Sequence, residues 1–406
     1  MKGTAKYVTV AVCVMLFAFL LAFPLTAHAK DKIVFGNAIA LSGFYAMGAK
    51  VTQIAPFDMW VQEVNAKGGI YVKEYGKKLP VEILRYDDKS DVGTCVKLVE
   101  KLILNDKVDL LLGPWGTANY FALAPIVTKY GYPVVGPTVD SLKLREMADK
   151  IPYMFIILNQ PPEKSVAMVD LAKELGVKSL VAAHHQDLHG IEYASGVVPA
   201  LAGGGVDVLM YKSFPLGSKD LSPLLKEMKA ANPDAAFFFC YPDEVILLVK
   251  QSIEVGFNPK LFYCTIGVAH TPVKDIFGDK VMEGVMGAGA WNPKVPYPGA
   301  KEFWDRMVAF VGKGNTDWYG NAWCYSTVQI MEQAIEKAGT LDRKKVRDVI
   351  ANSTFPTVIG PVRFENQFNV QSPGEVGQWQ KGEFEVVAAK EKRTAEPIYP
   401  KPPWPK

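Results

Sequence analysis

Short apolar runs recur along most of the chain: IVFGNAIAL from Ile33, VEILRYDD, VDLLL, YPVVG, PYMFIIL, SLVAAHH, VDVLMYKSF, AAFFFCY, KLFYCTIG and GVMGAGAW. Each is too short for a buried helix and rich in β-branched or aromatic residues, so each predicts a strand. Between them lie stretches of helical period. Phe57, Trp60, Val61 and Val64 share one face, as do Val92, Val96, Val99, Leu102 and Ile103 behind a capping Asp91. Further helices are expected over 165–175, 193–202, 222–230, 244–255, 301–311, 321–337 and 344–352. Pro56 falls early in the first helix and predicts a late start or a kink. Strand and helix in alternation imply parallel sheets built from βαβ units, and the rhythm restarts after Leu144 as a second lobe would. PVRFENQFNV reads as a late hairpin, and EPIYPKPPWPK as a loosely ordered proline-rich tail.

Two neighbouring strand ends carry the chain's clearest local chemistry. Val108 to Leu112 runs into Gly113, Pro114, Gly116 and Thr117, while Val134 and Val135 run into Gly136, Pro137 and Thr138, with a helix over 120–129 between them. Open α/β sheets bind ligands at this edge. A threonine hydroxyl beside the free N–H groups of a first helical turn suits a carboxylate.

The first residues combine Lys2 and Lys6, an apolar run from Val8 to Phe23 and the small-x-small set Ala27, His28, Ala29, the pattern of a cleavable signal peptide over 1–29. Cys13 lies inside that run, not at the cleavage point, so a lipid anchor is not indicated. The whole sequence carries a formal charge of +3 and the segment after 29 is near neutral, which gives no electrostatic case for nucleic acid. Roughly 380 residues exceed one core, and two domains are the default. Cys95, Cys240, Cys264 and Cys324 are too few and too widely spaced for a disulfide framework. Cys240 and Cys264 could pair, or all four could be buried thiols.

The succession IALSGFYAMG, EVNAKGGI, VEILRYDDKSD, VDLLLGPWGT, YPVVGPT, HHQDLHG, FFFCYPDE and NAWCYSTVQIMEQAIEKAG resembles the periplasmic solute-binding proteins of branched-chain amino acid and amide ABC transporters. The resemblance implies a type I periplasmic binding fold. Two doubly wound Rossmann-like lobes would be joined by three crossing segments, close by a hinge around a ligand, and deliver it to an inner-membrane permease. The lobes would comprise 30–155 plus 286–360 and 156–285 plus 361–390, leaving a tail over 391–406. It implies a monomer in the periplasm, a small-molecule ligand and no cofactor, metal or nucleic acid. Thr117 stands where the family holds the ligand carboxylate by a hydroxyl and its own N–H, with Gly116 and Trp115 before it; Thr138 and Asp140 occupy the second turn. His189 stands where many members have tyrosine beside a glycine, and Tyr241 matches the tyrosine of the far lobe.

One departure weighs most. Amino-acid binders place an acid just before the glycine equivalent to Gly267, to grip the ammonium; here that residue is Ile266. A buried ammonium without a carboxylate is costly, so an ordinary aliphatic amino acid is disfavoured. Asp140 could serve as a relocated partner, or simply hydrogen-bond its own turn. Tyr45, Trp115, Tyr120, Tyr241 and Trp291 suit a flat ring, giving an aromatic acid, an amide or an amino acid as ligand classes, although each could equally belong to the core. An exported enzyme is the rival reading, but GxxxxGK[ST], GxSxG, HExxH and strand-borne GxGxxG signals are missing. His184, His185 and His189 form the one histidine cluster, at a strand end without a completing ligand set. A ligand-sensing receptor domain is the third class.

Overall fold

The computed structural model describes residues 30–289, 291–371 and 376–405; the expected signal peptide lies outside them. Among the described residues no helix is long and apolar enough to cross a membrane.

Two sets of strands form the frame. In the first, Ile33–Ile39 runs parallel between Val81–Asp87 and Leu110–Leu111. A five-stranded ladder belongs to the same half, with Val134–Gly136, Met154–Ile156, Phe368–Asn369, Gly360–Glu365 and Thr354–Thr357 in that order. In the second, a seven-stranded sheet is ordered Asp207–Phe214, Ser179–His185, Ala235–Phe239, Leu261–Cys264, Met286–Ala288, Val376–Gln380 and Glu383–Ala388. Its first five strands are parallel and the last two form an antiparallel hairpin at the edge. The central parallel strands Ile33–Ile39, Ala235–Phe239 and Leu261–Cys264 are buried almost throughout, which is why they read as continuous apolar runs without alternation. The chain passes from one set to the other after Ile156, after Ala288 and after Asn369.

Local differences from the expected elements have physical causes. The first helix opens before Pro56: Ala46–Ala49 leads into a π-turn over Lys50–Ile54, and Ala55–Ala66 continues from there. The widened turn accommodates a proline that cannot donate, and the carbonyl of Val51 accepts instead from Asn321 Nδ2 at 2.6 Å. The helix expected at 193–202 starts at Leu188, because Asp187 caps it by accepting from His189 N at 3.0 Å. The polar stretch after Gly69 is a hairpin of Ile70–Val72 with Lys77–Leu79. Met286–Ala288, expected at the return to the first lobe, pairs with Tyr263 and Cys264 in the seven-stranded sheet; Gly360–Glu365 and Phe368–Asn369 sit in the first set.

The tail is the largest correction. Residues 391–405 are not loose: Trp404 Nε1 donates to Phe257 O at 2.7 Å, and its ring meets Phe262 edge-on. Lys401 is buried, donating to Asn258 Oδ1 at 2.7 Å, and Ile398 N donates to Gln378 Oε1 at 2.8 Å. All four cysteines are free thiols in buried positions, Cys240 and Cys264 included.

Candidate functional site

In each parallel ladder the strand order reverses beside the first strand, and the polypeptide after that strand's C-terminal end faces the other lobe. In the first lobe, the reversal lies between Ile33–Ile39 and Leu110–Leu111, which lead to Tyr45 and to Gly113 through Thr117. In the second, it lies between Ser179–His185 and Ala235–Phe239, which lead to Asp187, His189 and Tyr241. A cavity of about 40 Å³ lies between these ends. At that size it holds only a few waters.

Trp115, Gly116, Thr138 and Asp140 line it from the first lobe, and His189, Tyr241 and Ile266 from the second. Gly116, which lines the cavity, caps the helix Thr117–Tyr130 with φ at +94°, a conformation that side-chain-bearing residues adopt at a cost. Gly267 is required twice over: its φ is +116°, and a Cβ would lie 2.7 Å from Pro242 Cα. Three expected residues are placed otherwise. Thr117 stands behind the wall, its Oγ1 accepting from Asp140 N at 3.1 Å. Tyr45 packs on Trp115 and Tyr241 beside the cavity, ring centroids 5.6 and 5.4 Å away. Trp291 lies in the core against Phe303, donating to Val358 O at 2.8 Å, and does not line the cavity.

Every carboxylate at the cavity or its rim is already engaged. Asp140 pairs with Lys164 through Oδ1, and its Oδ2 lies 3.4 Å from His189 Nδ1; all three side chains are buried. Burial works to raise the Asp140 carboxyl, but the Lys164 ammonium and then His189 hold it below the ordinary carboxylate range. Burial likewise pushes His189 below the usual imidazole value, against the pull of Asp140. His189 Nε2 is 3.2 Å from Thr265 Oγ1, and its ring stacks on Tyr241 at 4.8 Å with 17° between planes. Asp187 accepts from Tyr45 OH at 2.8 Å and Tyr241 OH at 3.3 Å, and burial followed by that carboxylate raises both phenols. Glu244, deeper in the second lobe, is held by His185 Nδ1 at 2.6 Å. Trp115 and Tyr241, 4.9 Å apart, form an aromatic contact across the lobes.

A second polar group was missed from the sequence. His270, just before the helix Thr271–Phe277, pairs through Nδ1 with Asp317 Oδ2, and Asp317 Oδ1 accepts from the N–H groups of Tyr319, at 2.9 Å, and Gly320. Trp323 follows in the first turn of Gly320–Ala338. These residues line the cavity together with Thr52 of the π-turn, whose Oγ1 accepts from Trp115 Nε1 at 3.0 Å. Among the described residues, no cluster of three metal-ligating side chains occurs.

Residues 32–383 match the family model described as periplasmic binding protein. The leucine-, isoleucine-, valine-, threonine- and alanine-binding protein of Pseudomonas aeruginosa is 26% identical over 318 residues, covering 77% of this chain and 81% of that one. Among solved structures, the isoleucine complex of a branched-chain amino acid transporter substrate-binding protein from Streptococcus pneumoniae superposes with a TM-score of 0.76 at 20% identity, over 88% of this chain and 99% of that one. An ABC-transporter solute-binding protein from Rhodopseudomonas palustris in complex with 3,4-dihydroxybenzoic acid gives 0.76 at 20% identity, over 92% and 99%. The fold is thus the bilobal type I periplasmic binding architecture.

Proposed function

The chain belongs to the periplasmic binding protein family, and we propose that it is the periplasmic solute-binding component of an ABC transporter, capturing a small carboxylate-bearing, aromatic compound by closure of two lobes. On this reading the lobes are built from 32–160 with 289–371 and from 161–288 with 376–405, and the protein acts as a monomer that hands its ligand to a permease. It performs no chemistry on the ligand.

The observation that carries the choice of ligand is the state of the site's acids. Amino-acid relatives need a carboxylate for the ammonium, and here Ile266 lines the cavity while Asp140 is spent on Lys164 and His189. Asp187 is spent on two phenols and Asp317 on His270, so a ligand ammonium would be buried without a counter-charge. A carboxylate beside Gly116 and Thr138 would instead meet the positive N-terminal end of the helix Thr117–Tyr130. Trp115 and Tyr241 supply faces for a ring.

A thermal-shift panel of benzoate, hydroxybenzoates, leucine, valine, short-chain amides and urea tests this reading. Aromatic acids should raise the melting temperature more than the aliphatic amino acids do. A response to leucine and valine alone refutes it.

A further inference from the structure

His270 and Trp323 meet at the cavity from different elements, one ahead of a short helix in the 261–278 segment, the other in the first turn of Gly320–Ala338. Both are essentially buried, at 1% and 2% exposure, and both line the cavity. Each has one ring nitrogen, His270 Nε2 and Trp323 Nε1, with no hydrogen-bond partner in the protein. Buried polar atoms are seldom left so, and two on one cavity wall point to a group supplied from outside the chain. The rest of the cluster is fully satisfied: Asp317 takes the His270 Nδ1 proton on one oxygen and two backbone N–H groups on the other.

The two nitrogens are not equivalent. Indole N–H can only donate. With the imidazole neutral, Nδ1 donating to Asp317 leaves Nε2 with a lone pair. One donor and one acceptor on a shared wall complement a hydroxyl, which both gives and takes a hydrogen bond. A second carboxylate would satisfy Trp323 but would face the His270 lone pair and the nearby Asp317 charge.

We propose that Trp323 and His270, oriented by Asp317, form the subsite that selects a ligand hydroxyl group on the cavity wall, so that the preferred ligand is a hydroxylated aromatic acid. The proposal rests on the carboxylate reading given above and adds a second group that the site recognises. Asp317 is a positioning residue, acting through His270. Loss of the ligand hydroxyl strands both nitrogens again, which is the basis of discrimination.

Calorimetry with 3- and 4-hydroxybenzoate and their fluoro counterparts, which match in size and lack the O–H, gives the test. The better hydroxy isomer should bind wild-type protein about tenfold or more tightly than its fluoro analogue. Trp323→Phe should collapse that ratio towards one while leaving fluorobenzoate affinity unchanged, and His270→Phe should do the same. Equal affinity of hydroxy and fluoro acids for wild type overturns the hydroxyl subsite alone. An equal loss for both ligands in Trp323→Phe overturns it too, since that is the signature of lost packing. No binding of either acid overturns the carboxylate reading and the subsite with it.

Discussion

Lys164→Met removes the ammonium paired with Asp140 and keeps most of the side chain's length. Both partners are 2% exposed, so the aspartate left behind cannot be rescued by water. Breaking a buried pair by removing one member costs about 3 to 5 kcal/mol, because an uncompensated charge remains. Here His189 Nδ1 stays 3.4 Å from Asp140 Oδ2 and relieves part of the penalty, so the lower end, about 3 kcal/mol, is expected. The methionine chain retains contact with Tyr193, over which the Lys164 ammonium sits at 4.4 Å. Equilibrium urea unfolding at neutral pH reads the loss directly. The double variant Lys164→Met/Asp140→Asn should recover at least half of it, since neither charge then remains buried. The pH dependence follows from Asp140, whose carboxyl is held below its ordinary value by Lys164 and then His189 despite burial. Its contribution is complete above the unfolded-state value near 4 and is lost as pH falls through the lower folded-state value. The stability gap between wild type and Asp140→Asn should therefore stay constant from pH 5 to 7 and narrow below pH 4. A loss under about 1 kcal/mol for Lys164→Met, or a double variant as unstable as the single, would refute the account of a charge pair sealed between the lobes.

Three other perturbations probe separate parts of the molecule. Ile266→Glu puts an unpaired acid on the cavity wall and should weaken aromatic-acid binding by at least about tenfold in calorimetry; an unchanged Kd would show that the side chain at 266 does not meet the ligand. Deleting 397–406 removes the Trp404 and Lys401 anchors and should cost about 2 kcal/mol or more in urea unfolding. Stability within about 0.5 kcal/mol of the full chain would mean that the tail contributes little. Asp88 is pushed up to about 6, chiefly by burial, so the stability it provides at low pH is lost as pH rises through 6. Asp88→Asn keeps the acceptor for Ser90 N and should gain about 1 to 2 kcal/mol on wild type between pH 5 and 7.5; parallel stability curves would contradict this.

Strands and long helices were legible because their burial is one-dimensional. A central parallel strand such as Ala235–Phe239 is apolar at every position, and Gly320–Ala338 carries its stripe over many turns. The Gly-Pro turns were legible for a related reason, since few residues adopt φ at +94° as Gly116 does. Composition misled where a few anchors outweighed many prolines: the tail looks extended and solvated, yet Ile398, Lys401 and Trp404 fasten it to the second lobe. The edge hairpin of Val376–Gln380 and Glu383–Ala388 went unread because its glycine, glutamine and lysine interrupt the apolar pattern. The His270, Asp317 and Trp323 group was invisible for another reason. His270 lies nearly fifty residues from Asp317 along the chain and meets it only in the fold. The sole local hint was Asp317 ahead of a strong amphipathic helix, which is also an ordinary capping position.

The side-chain bridges between the lobes would set a timetable for the traffic proposed above. Lys164 with Asp140, Asp187 with Tyr45 and His270 with Asp317 join one lobe to the other through groups of the chain itself. On the proposed function, in which cargo enters only when the lobes part, each such bridge would lengthen the time spent shut while empty, and capture would slow in proportion to the fraction standing open. The same ruptures gate departure. On the proposed function, a receiving permease that parts the lobes would supply the opening step that the protein makes slowly by itself, turning a long-lived shuttle into a prompt donor only on arrival.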